Sequence, residues 1–236
     1  MMPLEPETWF LWSAGVPPAP GAPATQESPG PAGRQRSIKS PAWAGRLRTT
    51  NRCDGEADLL ETRKSDVIFL IGFMGSGKTT VGAALARRLG TRFIDLDALI
   101  ELAAGCSIAE IFDHQGEPAF RELEHLELRN LLAKPRNQTC VVALGGGAFA
   151  QPRNLELIEQ AGAAVAWLDA PPEVLLERCR QTPPARPLAR DPDAFLRLWR
   201  ERIPFYERAR LRVDATLPVA DVIKEILGQL KESQRR

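Results

Sequence analysis

Eight consecutive residues, from Gly72 to Thr79, constrain this chain more than any other feature, and they read GFMGSGKT. They match the pattern G-x-x-x-x-G-K-[ST] in full. The apolar run Val67–Ile71 precedes them and predicts a strand buried on both faces. Apolar residues at helical spacing follow until Gly90, which is a typical helix end. A strand, a glycine-rich turn and a helix in this order predict a phosphate-binding loop.

The residue types in this loop explain how it would bind a nucleotide. Glycines let successive backbone N–H groups converge on phosphate oxygens, and the helix N-terminus adds the positive end of its dipole. Lys78 would reach the β- and γ-phosphates, and the Thr79 hydroxyl would coordinate Mg²⁺. ATP and Mg²⁺ are therefore the expected cofactors. The predicted nucleotide-binding residues are Gly75, Ser76, Gly77, Lys78, Thr79 and Thr80.

Strand and helix patterns alternate from residue 65 onward. The strand candidates after the first are Arg92–Leu96, Cys140–Leu144, Ala163–Leu168 and Leu211–Asp214. The helix candidates are Ile108–Phe112, Pro118–Ala133, Pro152–Gln160, Pro172–Arg180, Ala194–Arg208 and Val219–Lys231. This alternation predicts an α/β fold with a parallel sheet that helices cover on both faces.

The composition changes near residue 65. Nine of the 20 prolines lie within the first 41 residues, where no strand or helix period survives. We expect residues 1–64 to be a disordered Pro/Ala/Gly-rich extension and residues 65–236 to be the phosphate-binding domain. The disordered interpretation includes translation from a start codon placed too far upstream. The functional alternatives for the extension are a transit peptide, a secretory signal and a partner-binding tail. The acidic residues of the extension argue against a transit peptide, and its only aromatic run is too short for the apolar core of a secretory signal.

Charge and cysteine usage exclude several classes of function. Lys and Arg total 31 and Asp and Glu total 30, so a nucleic-acid ligand bound through bulk charge is not expected. A small anionic ligand needs only a few local charges. No apolar run approaches the length that a bilayer requires, so no membrane partner is expected. The four cysteines lack metal or disulfide spacing, and a reducing cytoplasm is the expected compartment.

Two carboxylates follow the second strand candidate, in the sequence Phe93-Ile94-Asp95-Leu96-Asp97. Alternation along a strand would point Asp95 and Asp97 to the same side, at the edge of the sheet where ligands bind in such folds. One carboxylate would help to hold the metal shell, and the other would accept a proton from the attacking hydroxyl. The alternative is that one of them caps the following helix, since Asp is a preferred N-cap.

Two further features accompany this pair. Arg121 falls in the first turns of a helix that Gly116-Glu117-Pro118 opens. The strand candidate Cys140–Leu144 continues into Gly145-Gly146-Gly147, a backbone-only surface that a small ligand can approach closely. Directly after a buried strand, at the same edge as the phosphate-binding loop, this triplet favours a ligand site over a flexible turn.

With these motifs in order, the sequence resembles the shikimate kinase family, which belongs to the P-loop kinases. The resemblance covers about residues 66–230. It rests on GFMGSGKTT, IDLD, SIAEIF, GEPAFRELE, ALGGGA, ARPLA and ERIPFYE, whose joint occurrence is highly specific. It implies a three-layer α/β/α sandwich of the P-loop NTPase fold with a central five-stranded parallel sheet. It also implies transfer of a phosphoryl group from ATP to the 3-hydroxyl of shikimate, a step towards aromatic amino acids, by a monomer.

The resemblance assigns roles to residues on both sides of the reaction. Asp97 would contact the attacking hydroxyl as the base, and Asp95 would belong to the water shell of Mg²⁺. Arg121 and Arg202 would bind the shikimate carboxylate, and a planar guanidinium suits a small acid better than Lys does. Besides Asp97, the implied substrate-binding residues are Phe120, Arg121, Gly145, Gly146, Gly147 and Arg202.

A lid arginine completes the implied machinery. Arg186, within Thr182-Pro183-Pro184-Ala185-Arg186, would cover the transferring phosphate and act with Lys78 in catalysis and nucleotide binding. By composition alone, Arg186 and Arg202 would be ordinary surface ion pairs, and their motif placement reverses that preference. Another small-molecule P-loop kinase, such as a gluconate kinase, is the alternative enzyme. An inactive nucleotide-binding or scaffold protein is the alternative outside enzymes.

Overall fold

A five-stranded sheet forms the centre of the molecule. The computed structural model describes residues 67–134, 139–182 and 190–234. The strands are β1 (Val67–Ile71), β2 (Arg92–Asp95), β3 (Cys140–Ala143), β4 (Ala164–Asp169) and β5 (Leu211–Asp214). They lie in the order β2-β3-β1-β4-β5, and every pairing is parallel. β1 is central and all five of its side chains are buried, which explains its unbroken apolar sequence.

Helices flank the sheet, and the predicted α/β architecture is confirmed. They are α1 (Lys78–Arg88), α2 (Leu96–Ala104), α3 (Ile108–Ala133), α4 (Pro152–Gln160), α5 (Pro172–Gln181), α6 (Pro192–Tyr206) and α7 (Val219–Gln234). A short 3₁₀ helix, Ala148–Ala150, follows the glycine triplet. None of the helices in the described ranges is long and apolar enough to cross a membrane.

The strand register brings the predicted site residues to one edge. Leu70 of β1 is level with Ala143 of β3, and Ala143 is level with Asp95 of β2. Three neighbouring strands therefore end at almost the same height. The segments that follow them meet at the carboxyl edge of the sheet, where parallel α/β folds bind their ligands.

The prediction that a strand carries both Asp95 and Asp97 is wrong. β2 ends at Asp95, whose side chain is the N-cap of α2, so Asp97 lies in the first turn of that helix. α2 was not among the helix candidates, although the alternative that one of these carboxylates is an N-cap implied a helix after the strand. The Asp95 carboxylate accepts a hydrogen bond from the backbone N–H of Asp97 at the start of α2. This capping bond gives the backbone an alternative to further strand pairing, so the strand ends here.

Helix α3 contains both of the predicted helices, Ile108–Phe112 and Pro118–Ala133, and has a break between them. Gly116 inside α3 has φ 77° and ψ 175°, values outside the helical region. Such a φ favours glycine, and Pro118 begins the second half of the helix with a compatible backbone. Arg121 lies on the second half of α3, after this break.

Two predicted features lie outside the described residues. They are the extension 1–64 and the lid arginine Arg186.

Candidate active site

The phosphate-binding loop follows β1, and its shape depends on glycine. Gly75 has φ 79°, in the left-handed region that side chains rarely adopt. A Cβ on Gly75 would come within 2.5 Å of the Leu175 carbonyl oxygen of α5. Both its conformation and its contact with α5 therefore exclude a side chain. Gly77, with φ 87°, is the N-cap of α1, so the helix begins directly where the loop ends.

The Lys78 ammonium lies within the loop. Its Nζ donates to the carbonyl oxygens of Gly72 at 2.7 Å and Phe73 at 3.0 Å. The Ser76 hydroxyl oxygen is 3.4 Å away, on a side chain that is only 2% exposed. Thr79 and Thr80 are exposed in the first turn of α1. The residues predicted to bind the nucleotide thus lie together in the loop and the first turn of α1, with the Lys78 ammonium among them.

Asp95 connects this loop to the next strand. The Thr79 hydroxyl donates to Asp95 Oδ2 at 3.1 Å, and Asp95 Oδ1 accepts from the Asp97 backbone N–H at 3.2 Å. The capping carboxylate is therefore Asp95, which leaves the Asp97 side chain for another role. A hydroxyl and a carboxylate oxygen at hydrogen-bond distance are the hard ligands that Mg²⁺ prefers.

This donor set fits Mg²⁺ bound together with a nucleotide. Within residues 67–134, 139–182 and 190–234, no three His, Cys, Asp or Glu side chains converge to hold a metal ion. Mg²⁺ commonly uses one or two protein oxygens, several waters and substrate phosphates instead of an all-protein cage. Thr79 and Asp95 are the described residues that could hold it.

The Asp97 carboxylate lies directly against the glycine triplet. A Cβ on Gly145 would come within 2.6 Å of Asp97 Oδ1 and 3.4 Å of its Cγ. Gly145 does not have a positive φ, so space and not conformation calls for glycine here. The absent side chain lets the carboxylate of α2 approach the backbone that follows β3.

Arg121 meets the same turn two residues later. A Cβ on Gly147 would come within 2.8 Å of Arg121 Nη2 and 2.9 Å of Nη1. Arg121 is 6% exposed, and its Nε donates to Glu117 Oε1 at 3.1 Å. Its Nη2 is 3.0 Å from the same oxygen but makes no hydrogen bond to any described residue. A buried guanidinium with an available N–H at the turn is suited to receive an anion.

Glu124, which the sequence analysis missed, holds Arg121 in place by hydrogen bonds. Both of its carboxylate oxygens accept from Arg121 Nη1, at 3.1 and 3.0 Å, and the side chain is 0% exposed. Burial raises the pKa of Glu124 to about 7, although the neighbouring Arg121 opposes the shift. The available signal was the spacing: an acid three residues after Arg121 faces it on a helix.

A second pair of buried site residues, Arg202 and Tyr206, lies on α6. Both are 0% exposed, and the Tyr206 hydroxyl donates to the Gly146 carbonyl oxygen at 2.8 Å. Burial lowers the pKa of Arg202, and Arg121 and Glu124 are among the charges that act on it. Tyr206 was also missed, although it follows Arg202 by four residues in the ERIPFYE motif.

Phe120 lies beside this cluster in the core. Its ring centroid is 4.8 Å from that of Phe112, and the Arg121 guanidinium carbon is 5.1 Å from the Phe120 centroid. A cation over an aromatic face is favourable, so Phe120 helps to fix the direction of Arg121.

The sheet edge therefore brings together the predicted site residues that the structure describes. A phosphate-binding loop, a carboxylate pair and buried arginines on a parallel α/β sheet define the class of P-loop phosphotransferases. Comparison with known proteins narrows this class. A family model described as shikimate kinase matches residues 74–231.

Individual relatives and solved structures agree with this match. A shikimate kinase of Synechococcus sp. (strain JA-3-3Ab) is 46% identical over 156 residues, which are 65% of this chain and 80% of that protein. One of Geobacter sulfurreducens is 47% identical over 171 residues, covering 71% of this chain and 92% of that one. The crystal structure of the Aquifex aeolicus shikimate kinase gives a TM-score of 0.64 at 38% identity, covering 71% of this chain and 98% of that one. A shikimate kinase of Acinetobacter baumannii in complex with shikimate gives 0.64 at 35% identity, covering 72% and 95%.

The chain belongs to the shikimate kinase family. It is an enzyme of that kind, an ATP-using kinase, as the order of its motifs predicted. This membership favours the shikimate kinase interpretation over a gluconate kinase or an inactive nucleotide-binding protein.

Proposed function

We propose that this enzyme transfers the γ-phosphoryl group of Mg-ATP to the 3-hydroxyl of shikimate, giving shikimate 3-phosphate and ADP. One observation carries the proposal: a single glycine turn contacts both the Asp97 carboxylate and the Arg121 guanidinium. A group that can take a proton from a hydroxyl and a group that can bind a carboxylate therefore border one small surface. The solved Acinetobacter baumannii relative, whose complex contains shikimate, supports the same substrate class.

The acid end of the substrate would be bound by arginine. Arg121 is fixed by Glu117, Glu124 and Phe120, so its fork of donors is oriented before any ligand arrives. Arg202, buried on α6, would supply the second guanidinium.

The remaining contacts to shikimate would come from the triplet and the core. Gly145, Gly146 and Gly147 would line the hydroxyl groups with backbone alone, because side chains at the first and third positions would collide with Asp97 and Arg121. Phe120 would lie against the ring.

Asp97 would act as the base. The substrate oxygen forms a bond to the γ-phosphorus as the bond from that phosphorus to the bridging oxygen of ADP breaks. The hydroxyl proton passes to the Asp97 carboxylate. The contact between Asp97 and Gly145 orients the carboxylate towards the turn that would bind the substrate hydroxyls.

The phosphate side would be organised by the loop. Gly75, Ser76, Gly77 and Thr80 would contribute to the phosphate cradle, and Lys78 would carry the positive charge to the β- and γ-phosphates. Thr79 would hold Mg²⁺ directly and Asp95 through water, and the ion would neutralise charge that develops between these phosphates.

Further parts of the proposal rest on the sequence. Arg186 would cover the transferring phosphate from residues that the structure does not describe. Residues 65–236 would form the kinase domain behind an extension of residues 1–64. The enzyme would work as a cytoplasmic monomer.

The first experiment is ADP release by the full chain with Mg-ATP, comparing shikimate, gluconate and a nucleoside monophosphate. Stimulation by shikimate alone is the expected result. Stimulation by gluconate or the nucleoside monophosphate would overturn the substrate assignment. Shikimate-independent release, with ATP bound normally, would overturn the proposed transfer.

A further inference from the structure

Tyr206 is the only tyrosine among the 236 residues, and its hydroxyl makes a long-range contact. It donates to the carbonyl oxygen of Gly146, 60 residues away in the chain, at 2.8 Å. The side chain is 0% exposed, so the hydroxyl cannot exchange this partner for bulk water. A buried hydroxyl that loses its acceptor costs free energy, which makes the bond a strong constraint on the turn.

The two ends of this bond belong to different parts of the site. Gly146 lies between Gly145, which contacts Asp97, and Gly147, which contacts Arg121. Tyr206 lies one helical turn after Arg202 on α6, and both side chains are fully buried. A rotation of the Gly146 peptide would move both neighbouring contacts, whereas a shift of α6 would move Arg202.

The hydroxyl is a donor throughout the pH range in which the enzyme would work. Burial raises the pKa of Tyr206 above its ordinary value, so the O–H stays protonated. The ring itself is held by packing, with its centroid 6.1 Å from that of Trp167. Packing therefore fixes the position of the ring, and the hydroxyl adds a directional hydrogen bond to the Gly146 carbonyl oxygen.

We propose that Tyr206 is a positioning residue for the acceptor substrate, acting by fixing the glycine triplet relative to the helix that carries Arg202. This inference rests on the proposed function, because it assumes that the triplet and the arginines receive shikimate. The phosphate-binding loop follows a different strand, β1, whereas the hydroxyl of Tyr206 bonds to the triplet that follows β3. A loss of the hydroxyl should therefore affect shikimate much more than ATP.

Tyr206→Phe in the full chain removes the oxygen and keeps the ring. We expect the KM for shikimate to rise about tenfold, with the KM for ATP within about twofold of the original value. Trp199→Phe is the matched control: it truncates another aromatic side chain of α6, half-buried and outside the triplet, and should leave both KM values unchanged. Melting temperatures of both variants identify any general loss of structure.

Two results would overturn the inference: an unchanged KM for shikimate in folded Tyr206→Phe, or a parallel rise in both KM values. Failure of the proposed function is separate, because there shikimate would not stimulate ADP release even by the unaltered chain.

A second measurement does not depend on the variant. Because the chain has one tyrosine, 3-fluorotyrosine labels position 206 alone. We expect shikimate to shift the single ¹⁹F resonance, with a smaller shift on addition of ATP alone. A resonance that saturating shikimate leaves in place would contradict a positioning role.

Discussion

The Arg121 guanidinium occupies the space where a side chain of Gly147 would be, 2.8 Å from an ideal Cβ at that position. Gly147 has φ −99° and ψ −17°, a conformation open to any residue. The turn therefore contains glycine here because of its neighbour and not because of its backbone. This relationship makes the effect of a single methyl group predictable.

Gly147→Ala should displace Arg121 without straining the turn. Because a small misplacement of a binding group is costly, we expect kcat/KM for shikimate to fall by about 10- to 100-fold. Steady-state kinetics at saturating ATP would measure it. Gly228→Ala on α7 is the control, since nothing lies within 4 Å of a Cβ there. The control should keep full activity and gain slightly in stability, as glycine is unfavourable inside a helix.

Asp97→Asn should lose turnover while still binding ATP. The amide has nearly the same shape as the carboxylate but cannot accept the hydroxyl proton, so kcat should fall at least about 100-fold. The Kd for ATP, measured by calorimetry, should stay within about twofold of the original value because Asp97 is not part of the phosphate-binding loop. Asp113→Asn, an exposed carboxylate on α3, should behave like the original enzyme. Original turnover in Asp97→Asn would exclude Asp97 as the base.

Arg121→Lys should mainly weaken binding of the acid. A point charge replaces a planar fork, and charge-assisted hydrogen bonds to Glu117 and Glu124 are lost with it. We expect the KM for shikimate to rise roughly tenfold or more, with a smaller change in kcat. Arg129→Lys, exposed on the same helix, serves as the control. An unchanged KM would remove Arg121 from the carboxylate site.

Glu124 should make stability depend on pH. Its pKa in the folded protein is about 7, against an ordinary value of 4.5. Between these values the folded state binds more protons than the unfolded state, so the contribution of Glu124 to the free energy of unfolding falls as pH rises. Below pH 4.5 and above about pH 7 this contribution should be flat.

Comparison with Glu124→Gln isolates this effect, because a neutral amide does not titrate. Urea unfolding of the full chain from pH 4.5 to 8 should show the original enzyme losing stability relative to the variant as pH rises. Glu201→Gln, an exposed residue of α6, should track the original enzyme. A constant difference between Glu124→Gln and the original enzyme would show that Glu124 does not titrate in this range.

Local spacing made the phosphate-binding loop predictable. Its residues are contiguous, and the strand before it and the helix after it are each specified by their own periodicity. The boundary at Asp95 was different, because a capping bond from one side chain ended the strand and began an unpredicted helix. The N-cap preference of Asp raised this alternative, but alternation could not decide between a cap at Asp95 and a longer strand.

Long-range contacts limited what could be predicted of the site. The glycine triplet was recognised as a backbone surface, but its contacts with Asp97 and Arg121 join segments far apart in the chain. Glu124 and Tyr206 are ordinary helix residues until burial is known. Burial raises the pKa of the Glu124 carboxylate. It also leaves the Tyr206 hydroxyl with the Gly146 carbonyl oxygen as its acceptor.

The hydrogen bonds of Lys78 have a consequence for nucleotide selection. Its ammonium is already satisfied by the carbonyl oxygens of Gly72 and Phe73. An incoming phosphate must therefore compete for this ammonium with two internal acceptors, which a weakly charged ligand does poorly. We therefore expect this loop to select its ligand by charge density, because a neutral molecule would offer the ammonium no stronger acceptor than the two carbonyl oxygens.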